Sequence, residues 1–433
     1  RPNGPTPVGR NPIRFAWFLR NFSKDPMGFI QGRLDQYGDT YFTISGGAPL
    51  FVTRELEVMR DVLVRRASDF EKRKEDLASF LGEGLLNADG AAWRRHRRMI
   101  QPAFARDRLR EYAAVFVRRT EAWLDRRRDG EIIELEREMT ALTLEIVCEA
   151  LFAHDVGGRA IDFGRTMDRI QDGLNVFLPE WLPTPGRVRQ RFAQRRLDGV
   201  LDELIEAKRK APGPDLISRL LEAEDEEGKL SDQQVRDEVV TLFAAGHETT
   251  ALALTWTLHH LARNPQATAR LRDEVRSVLG SRAPTFDDLD ALRWTEACIL
   301  ESMRLEPPAY VIPRRAVRDT QAGRWSMREG DEIVMWIFHL HRDPRHFADP
   351  LRWTPERFLD AKMPEAYMPF GAGQRACIGR HFAMVEAQLV LATLAQRFGF
   401  ERIDHHAVGF RPKITLAPGR PIRARLRAVS SER

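Results

Sequence analysis

FGAGQRACIG, residues 370–379, places three glycines around a single cysteine, Cys377, and a strongly helical run follows at residues 380–397. Glycine permits close backbone approach and positive φ, so such a loop can wrap around a thiolate and direct amide N–H groups at it. The dipole of the following helix also favours a deprotonated sulfur. Because a cysteine is more often an inert buried residue, the loop by itself makes Cys377 only a candidate metal ligand.

A long apolar helix is the second informative feature. Ser231 can cap its N-terminus with Gln234 as the partner in a capping box, and the helix is expected to run to about Asn264, where Pro265 stops it. Its middle is apolar on all faces except at the threonines and within AGHETT, residues 245–250. Such a helix must be buried in protein, since a central Glu and His would be costly in a membrane. A carboxylate in that position needs a functional reason.

Both stretches resemble signatures of the cytochrome P450 family. AGHETT matches A/G-G-x-D/E-T-T completely, and the resemblance extends from about Tyr37 to Leu416. It implies a mainly α fold, one large helical domain with small β-sheets, in which haem b (iron protoporphyrin IX) lies between the central helix and the cysteine loop. Cys377 would then ligate the iron. The loop matches F-x-x-G-x-R-x-C-x-G at each fixed position: Phe370, Gly373, Arg375, Cys377 and Gly379.

The resemblance assigns the activation of oxygen to the central helix. Ala245 and Gly246 would border the cofactor, with Gly246 leaving room for dioxygen. Glu248 and Thr249 would relay protons, and the Thr249 hydroxyl can bond back to the Ala245 carbonyl and loosen the helix. The alternative is a purely structural role, in which Thr249 and Thr250 hydrogen-bond to carbonyls of their own helix and Glu248 forms an ion pair with an arginine.

The segment ESMR, residues 301–304, puts Glu301 and Arg304 on one side of a predicted helix. Alone, an E-x-x-R pair is usually exposed and contributes well under ~1 kcal/mol. Here PERF follows downstream at residues 355–358, and the arrangement resembles the buried triad of the family. The resemblance implies that Glu301, Arg304 and Arg357 form a structural network that holds the cysteine loop.

Two further elements resemble the residues with which the family holds haem propionates. WRRHR, residues 93–97, is similar to W-x-x-x-R, so Trp93 and Arg97 are expected to donate to carboxylates. A second arginine should come from Arg314 or Arg315, since only one of two neighbours on a strand can face the cofactor. Asp319 lies five residues after Arg314, and this spacing favours Arg314 over Arg315.

The remaining arginines of this cluster, Arg94, Arg95 and Arg98, could form a basic proximal face together with Arg380. The family uses that face to receive an acidic redox protein, here expected to be a ferredoxin served by a separate reductase. A plain solvated helix face would show the same residues.

Composition is that of one globular enzyme. The 433 residues are 43% apolar and 30% charged, which predicts a single domain over residues 1–433, with residues 1–20 irregular and no fused reductase. Periodicity predicts helices at residues 107–128, 131–152 and 187–210, and strands at 40–44 and 50–53.

Charge and cysteine usage restrict the location and the partners. Three cysteines without C-x-x-C spacing argue against a disulfide framework or zinc ribbon and suit a reducing cytoplasm. The net charge of +5 is spread along the chain, so no nucleic acid is expected. Residues 1–12 lack an apolar run, so neither a signal peptide nor a membrane anchor is expected, and a monomer is the default.

The expected activity is haem-dependent monooxygenation of a lipophilic substrate of the fatty acid, terpenoid/carotenoid or steroid class. One alternative is a peroxide-driven peroxygenase or rearrangement catalyst on the same fold, and another is a haem protein that senses or carries a gas. The resemblance gives four largely apolar pocket walls: Phe80–Leu86, Asn175–Leu182, Leu242–Ala245 and Ala309–Ile312.

Overall fold

The computed structural model describes residues 2–4, 18, 20–22, 24–45, 48–72, 81–153, 185–213, 215–226, 228–359 and 362–429. Helices dominate these residues, as predicted. They are α1 (Pro26–Tyr37), α2 (Leu56–Arg60), α3 (Gly90–Ile100), α4 (Arg106–Asp125), α5 (Leu135–Phe152), α6 (Pro185–Lys210), α7 (Leu216–Glu222), α8 (Asp232–Leu261), α9 (Pro265–Leu279), α10 (Arg293–Leu305), α11 (Ile337–Leu340) and α12 (Arg380–Arg397).

The strands are short. They are β1 (Thr40–Ser45), β2 (Ala48–Thr53), β3 (Phe70–Glu71), β4 (Ile132–Glu134), β5 (Glu224–Asp225), β6 (Gly228–Lys229), β7 (Ile312–Ala316), β8 (Thr320–Ala322), β9 (Trp325–Met327), β10 (Glu332–Met335), β11 (Phe398–Arg402), β12 (Phe410–Pro412), β13 (Leu416–Pro418) and β14 (Arg423–Ala428).

The central helix of the sequence analysis is α8. Ser231 Oγ accepts from the Gln234 amide at 3.3 Å, and Gln234 Oε1 accepts from the Ser231 amide at 2.9 Å, so the predicted capping box is confirmed. The helix ends at Leu261, slightly before the expected Asn264, and Pro265 begins α9. Proline suits that first helical position because its missing N–H would have no partner there anyway.

The other predicted elements are confirmed with one correction. The strands at residues 40–44 and 50–53 are β1 and β2, and the three predicted helices are α4, α5 and α6. The helix predicted from Glu131 instead begins at Leu135, because Ile132–Glu134 pair with β14 as strand β4. Tertiary pairing overrides the helical periodicity of those residues.

Five strands form the largest sheet, in the order β1-β2-β10-β7-β3. Antiparallel pairing sets Arg315 of β7 opposite Glu332 of β10, and Arg314 opposite Ile333. Since neighbouring side chains alternate between the faces of a strand, the two arginines point to opposite sides.

The core surrounds α8, which packs against α5, α10 and α12. Its residues from Ala251 to Leu258 are all buried, as the apolar sequence predicts. Among the described residues, none of the helices combines the length and the apolar character that crossing a bilayer requires.

Candidate active site

The cysteine loop is held in shape by its own backbone and by a close neighbour. The Cys377 amide donates to the Phe370 carbonyl at 2.9 Å, which closes the loop just before α12 begins. Gly373 has φ +69°, and a Cβ there would lie 2.0 Å from the Leu63 carbonyl oxygen. Only glycine fits that position, both for its backbone conformation and for the contact.

Cys377 is accessible, whereas Cys148 and Cys298 are buried. The protein that surrounds it on the other sides raises the pKa of the Cys377 thiol by burial. The backbone amide of Gly379 and the charges of Arg97 and Arg380 act in the opposite direction and lower that pKa. A cysteine that is reachable from one side and surrounded by positive groups is suited to bind a metal as a thiolate.

Helix α3 is tied directly to the cysteine loop. Arg97 Nη1 donates to the Ala376 carbonyl at 2.9 Å, one residue before Cys377. Arg375 donates to the Ala88 carbonyl at 2.7 Å and pairs with Asp89, and its guanidinium lies 4.4 Å from the centre of the Trp93 ring. The structure thus brings the W-x-x-x-R element and the cysteine signature together.

Buried positive charge accumulates beside this junction. Burial lowers the pKa of Arg314 to about 10, and the charge of Arg375 adds to that effect. Burial likewise lowers the pKa of Lys72 to about 7, with Arg314 and Arg375 contributing. Within the described part of the chain, Asp89 is the carboxylate that raises both pKa values. Buried cations are stable when an anion pairs with them, so this set of donors fits a cofactor that carries carboxylates.

The structure separates the two candidate arginines of β7. Arg314 is buried and lies among these cations. Arg315 Nη2 lies 3.2 Å from Glu332 Oε1 across the β7–β10 pair. The inward position therefore belongs to Arg314, the residue that the spacing of Asp319 favours.

Sequence reasoning missed Lys72. It follows β3 directly, and its Nζ donates to the Leu86 carbonyl at 2.5 Å. No spacing in the sequence links Lys72 to Arg314 or Arg375. It is the pairing of β3 with β7 that brings this part of the chain to the site.

Two successive threonines of the AGHETT segment bond back to carbonyls of α8, which stays helical throughout. Thr249 Oγ1 donates to the Ala245 carbonyl at 2.9 Å, as expected, and Thr250 Oγ1 donates to the Gly246 carbonyl at 3.3 Å. Such back-bonds compete with the helix ladder. Glu248 Oε1 accepts from Thr415 Oγ1 at 2.5 Å, which links α8 to the chain just before β13.

Gly246 lies where α8 packs against α5. A Cβ at this position would lie 3.4 and 3.6 Å from the two methyl groups of Val147 on α5. Gly246 is half-buried beside Val147, and its role in leaving room for dioxygen stays a prediction. Ala245 is exposed, so the open side of the helix begins there.

Glu301, Arg304 and Arg357 form one network. Arg304 Nε lies 2.7 Å from Glu301 Oε2, and both side chains are 0% exposed. Arg357 Nε donates to Glu301 Oε1 at 3.1 Å. Arg304 also donates to the carbonyls of His341 and Pro350, at 2.7 and 2.8 Å. The network thus connects α10 to the segment that leads toward the cysteine loop.

The basic face needs one correction. Arg95 is buried, with Nη2 3.0 Å from Asp225 Oδ1 and 2.7 Å from the Gly228 carbonyl, so it cannot contribute to an exposed patch. Arg94 and Arg98 are exposed on α3, as is Arg380 at the start of α12. A surface pocket of about 610 Å³ lies beside α3, and its lining includes Trp93, Arg94, Arg97, Arg98 and Phe104.

Two of the expected pocket walls lie in the described residues in full. Leu242 is buried and Ala245 is exposed on α8, while Val311 and Ile312 are half-buried at the start of β7. Leu85, in the chain before α3, is buried as well. Phe80 and the wall Asn175–Leu182 lie outside the described residues.

Comparison with known proteins identifies the family. The sequence profile described as Cytochrome P450 matches residues 3–416. The chain therefore belongs to the cytochrome P450 family, and it is a haem-dependent monooxygenase that acts on a substrate with dioxygen and a redox partner.

Its relatives include bacterial enzymes of similar length. A cyclooctatin synthase from Streptomyces melanosporofaciens is 35% identical, over 93% of this chain and 91% of the relative. A cyclooctat-9-en-7-ol 5-monooxygenase from the same organism is 34% identical, over 86% and 84%. A pentalenene oxygenase from Streptomyces avermitilis is 32% identical, over 89% and 88%.

Proposed function

We propose that this chain uses haem b to hydroxylate a terpenoid-like substrate, with electrons from a ferredoxin. The observation that carries the proposal is the meeting of an accessible cysteine, Cys377, with the buried Arg314 and the half-buried Lys72. One group has to satisfy a thiolate and several cations at once, and an iron porphyrin with two carboxylates does so.

Cys377 ligates the iron in this proposal. Arg97, Arg314, Trp93 and Lys72 bind the carboxylates, while Ala245 and Gly246 border the cofactor on the α8 side. When bound, the haem supplies reductive activation of dioxygen and hydroxylation of an unactivated C–H bond. The cysteine loop is shaped around the ligand by Phe370, Gly373, Arg375 and Gly379.

Glu248 and Thr249 supply protons to the site. The Thr249 hydroxyl is held at the Ala245 carbonyl, where it can donate or accept beside the open face of α8. Glu248 is held by Thr415 at the edge of the same helix, one residue away. A carboxylate followed by a hydroxyl is a short path for protons toward the reacting dioxygen.

A lipophilic substrate agrees with the apolar walls around Leu242 and Ile312. Among the three classes compatible with such walls, terpenoids are favoured by the names of two relatives. Cyclooctat-9-en-7-ol and pentalenene, after which these relatives are named, are terpenoids. Specificity among such compounds depends on small differences in apolar contact.

The ferredoxin docks on the face formed by Arg94, Arg98 and Arg380, where acidic groups of a partner are attracted. The chain acts as a monomer and as one domain over residues 1–433, in the cytoplasm, where its three cysteines stay reduced.

The proposal is tested with isotopically labelled dioxygen, a reduced ferredoxin system and a panel of terpenoids, fatty acids and steroids. We expect one labelled oxygen atom in a terpenoid product. Thr249→Ala should lower product formed per electron, and Thr249→Ser should restore it. Turnover with peroxide that is unaffected by Thr249→Ala would support the peroxygenase instead, and gas binding without turnover would support a sensor.

A further inference from the structure

Two adjacent carboxylates near the start of α8 bind the backbone of the segment before α3, residues 82–87. Asp237 Oδ2 accepts from the Glu83 amide at 2.9 Å, and Glu238 Oε2 accepts from the Leu85 amide at 3.1 Å. Glu238 is 0% exposed and Asp237 is 4% exposed. Buried carboxylates require compensation, and here part of it comes from backbone N–H groups.

Two glycines allow the segment to lie this close to α8. A Cβ on Gly82, which has φ +57°, would lie 2.3 Å from the Asp237 carboxylate. A Cβ on Gly84 would lie 2.3 Å from Thr241 Oγ1. Neither position admits a side chain without a shift, so the sequence G-x-G is matched to the carboxylates that it faces.

Glu238 also contacts the helix that carries the expected cofactor-binding residues. His96 Nδ1 on α3 lies 2.6 Å from Glu238 Oε1, and the His96 side chain is 3% exposed. At the other end of the segment, Lys72 Nζ donates to the Leu86 carbonyl at 2.5 Å. The segment is thus held by α8 at residues 83 and 85, and by Lys72 at residue 86.

The position of this segment gives the contacts a functional meaning. Thr241, which Gly84 faces, immediately precedes Leu242 and lies one turn before Ala245, where the open side of α8 begins. Residues 82–87 therefore stand beside the part of α8 that borders the site. A change in their distance from α8 alters the width of the site on its substrate side.

We propose that Asp237 and Glu238 are positioning residues that hold residues 82–87 closed as a substrate wall, and that the contact of His96 with Glu238 links α3 to α8 beside this wall. The wall discriminates among lipophilic substrates through its distance from α8. The inference rests on the proposed function for the chemistry of the substrate, whereas the closure itself is a property of this chain.

Closure is measured by amide hydrogen exchange on the full-length holoenzyme. In Glu238→Gln, exchange of residues 82–87 should rise about tenfold, the shift produced by loss of one charge-assisted bond. Gly84→Ala should raise the same exchange by forcing the segment off Thr241, without any change of charge. Asp232→Asn is the matched control, since Asp232 lies in the exposed first turn of α8 and pairs with Arg209.

Steady-state kinetics with the same variants test the role in substrate binding. We expect KM to rise about tenfold in Glu238→Gln and Gly84→Ala, with kcat changed less than about twofold and the carbon monoxide spectrum unchanged. If residues 82–87 merely stabilised the fold, the two variants would not raise KM while leaving kcat nearly unchanged. Unchanged exchange in both variants would overturn the closure, and raised exchange with unchanged KM would overturn the role in specificity. A wild-type chain without substrate oxidation would instead refute the proposed function, because the exchange measurement does not depend on turnover.

Discussion

Arg304 binds the Glu301 carboxylate through two of its guanidinium nitrogens. Its Nε lies 2.7 Å from one carboxylate oxygen and its Nη2 2.9 Å from the other, between side chains that are both fully buried. Glu301 also accepts from the Thr354 amide at 2.8 Å. One ion pair on α10 therefore fixes the backbone around residues 341–354, in the chain that leads to the cysteine loop.

Arg304→Lys should lower the free energy of unfolding by about 3–5 kcal/mol, because lysine cannot replace the two-pronged pair and leaves Glu301 poorly compensated in the core. Denaturant unfolding of the variant and of Arg352→Lys, an exposed control, measures the difference. Equal stability of the two variants would show that the network does not support the fold.

Arg314→Gln should weaken binding of the cofactor by about tenfold or more, since a charge-assisted bond contributes ~1.5–3 kcal/mol. Arg315→Gln should change it less than about twofold, because Arg315 pairs with Glu332. The rate of haem transfer to a high-affinity acceptor protein measures both. Faster loss from Arg315→Gln than from Arg314→Gln would reverse the assignment.

Lys72 should make binding of the cofactor dependent on pH. Burial lowers the pKa of Lys72 to about 7, and a bound carboxylate would raise it again, so binding above pH 7 takes up a proton. The affinity of the wild type relative to that of Lys72→Arg, which stays charged, should therefore fall as the pH rises through and beyond 7, because the pH dependence that comes from the Cys377 thiol is common to both. The exposed control Lys229→Arg should show the same fall relative to Lys72→Arg as the wild type does. The same slope in wild type and Lys72→Arg would contradict this account.

Glu386 on α12 should destabilise the protein increasingly as the pH rises. Burial raises the pKa of Glu386 well above its ordinary value, and the hydroxyl of Thr250, which acts in the opposite direction, does not offset that effect. The folded state then keeps a proton that the unfolded state loses above about pH 4.5, so stability falls as the pH rises from that value.

Glu386→Gln imitates the neutral acid and should be more stable than the wild type at pH 8. The advantage should shrink as the pH is lowered toward about 5, whereas the exposed control Glu329→Gln should show no such trend. Thermal unfolding across this range measures the difference. A stability difference that is independent of pH would mean that Glu386 is ionised in the folded state.

The central helix and the cysteine loop could be predicted from sequence because their signals are local. The capping box of Ser231 and Gln234 is confirmed, and the back-bond from Thr249 to Ala245 follows from helical spacing alone. Residues 245 and 249 share one face of the helix, and residue 246 lies about 100° away, which agrees with the contact between Gly246 and α5.

Other features depend on contacts between distant parts of the chain. Arg95 is buried by Asp225, which is 130 residues away and belongs to the short β5–β6 hairpin. Lys72 reaches the cation cluster through strand pairing, and Glu238 meets the Leu85 amide across 153 residues. Periodicity and composition carry no information about such pairs, which is why sequence reasoning missed them.

The central claim is that Cys377 binds the haem iron as a thiolate. The most direct measurement is the absorption spectrum of the dithionite-reduced protein with carbon monoxide, for the wild type and for Cys377→Ala. We predict a strongly red-shifted Soret band in the wild type that is lost in the variant. A band at the position typical of histidine-ligated haem, or a red-shifted band that persists in Cys377→Ala, would contradict the account.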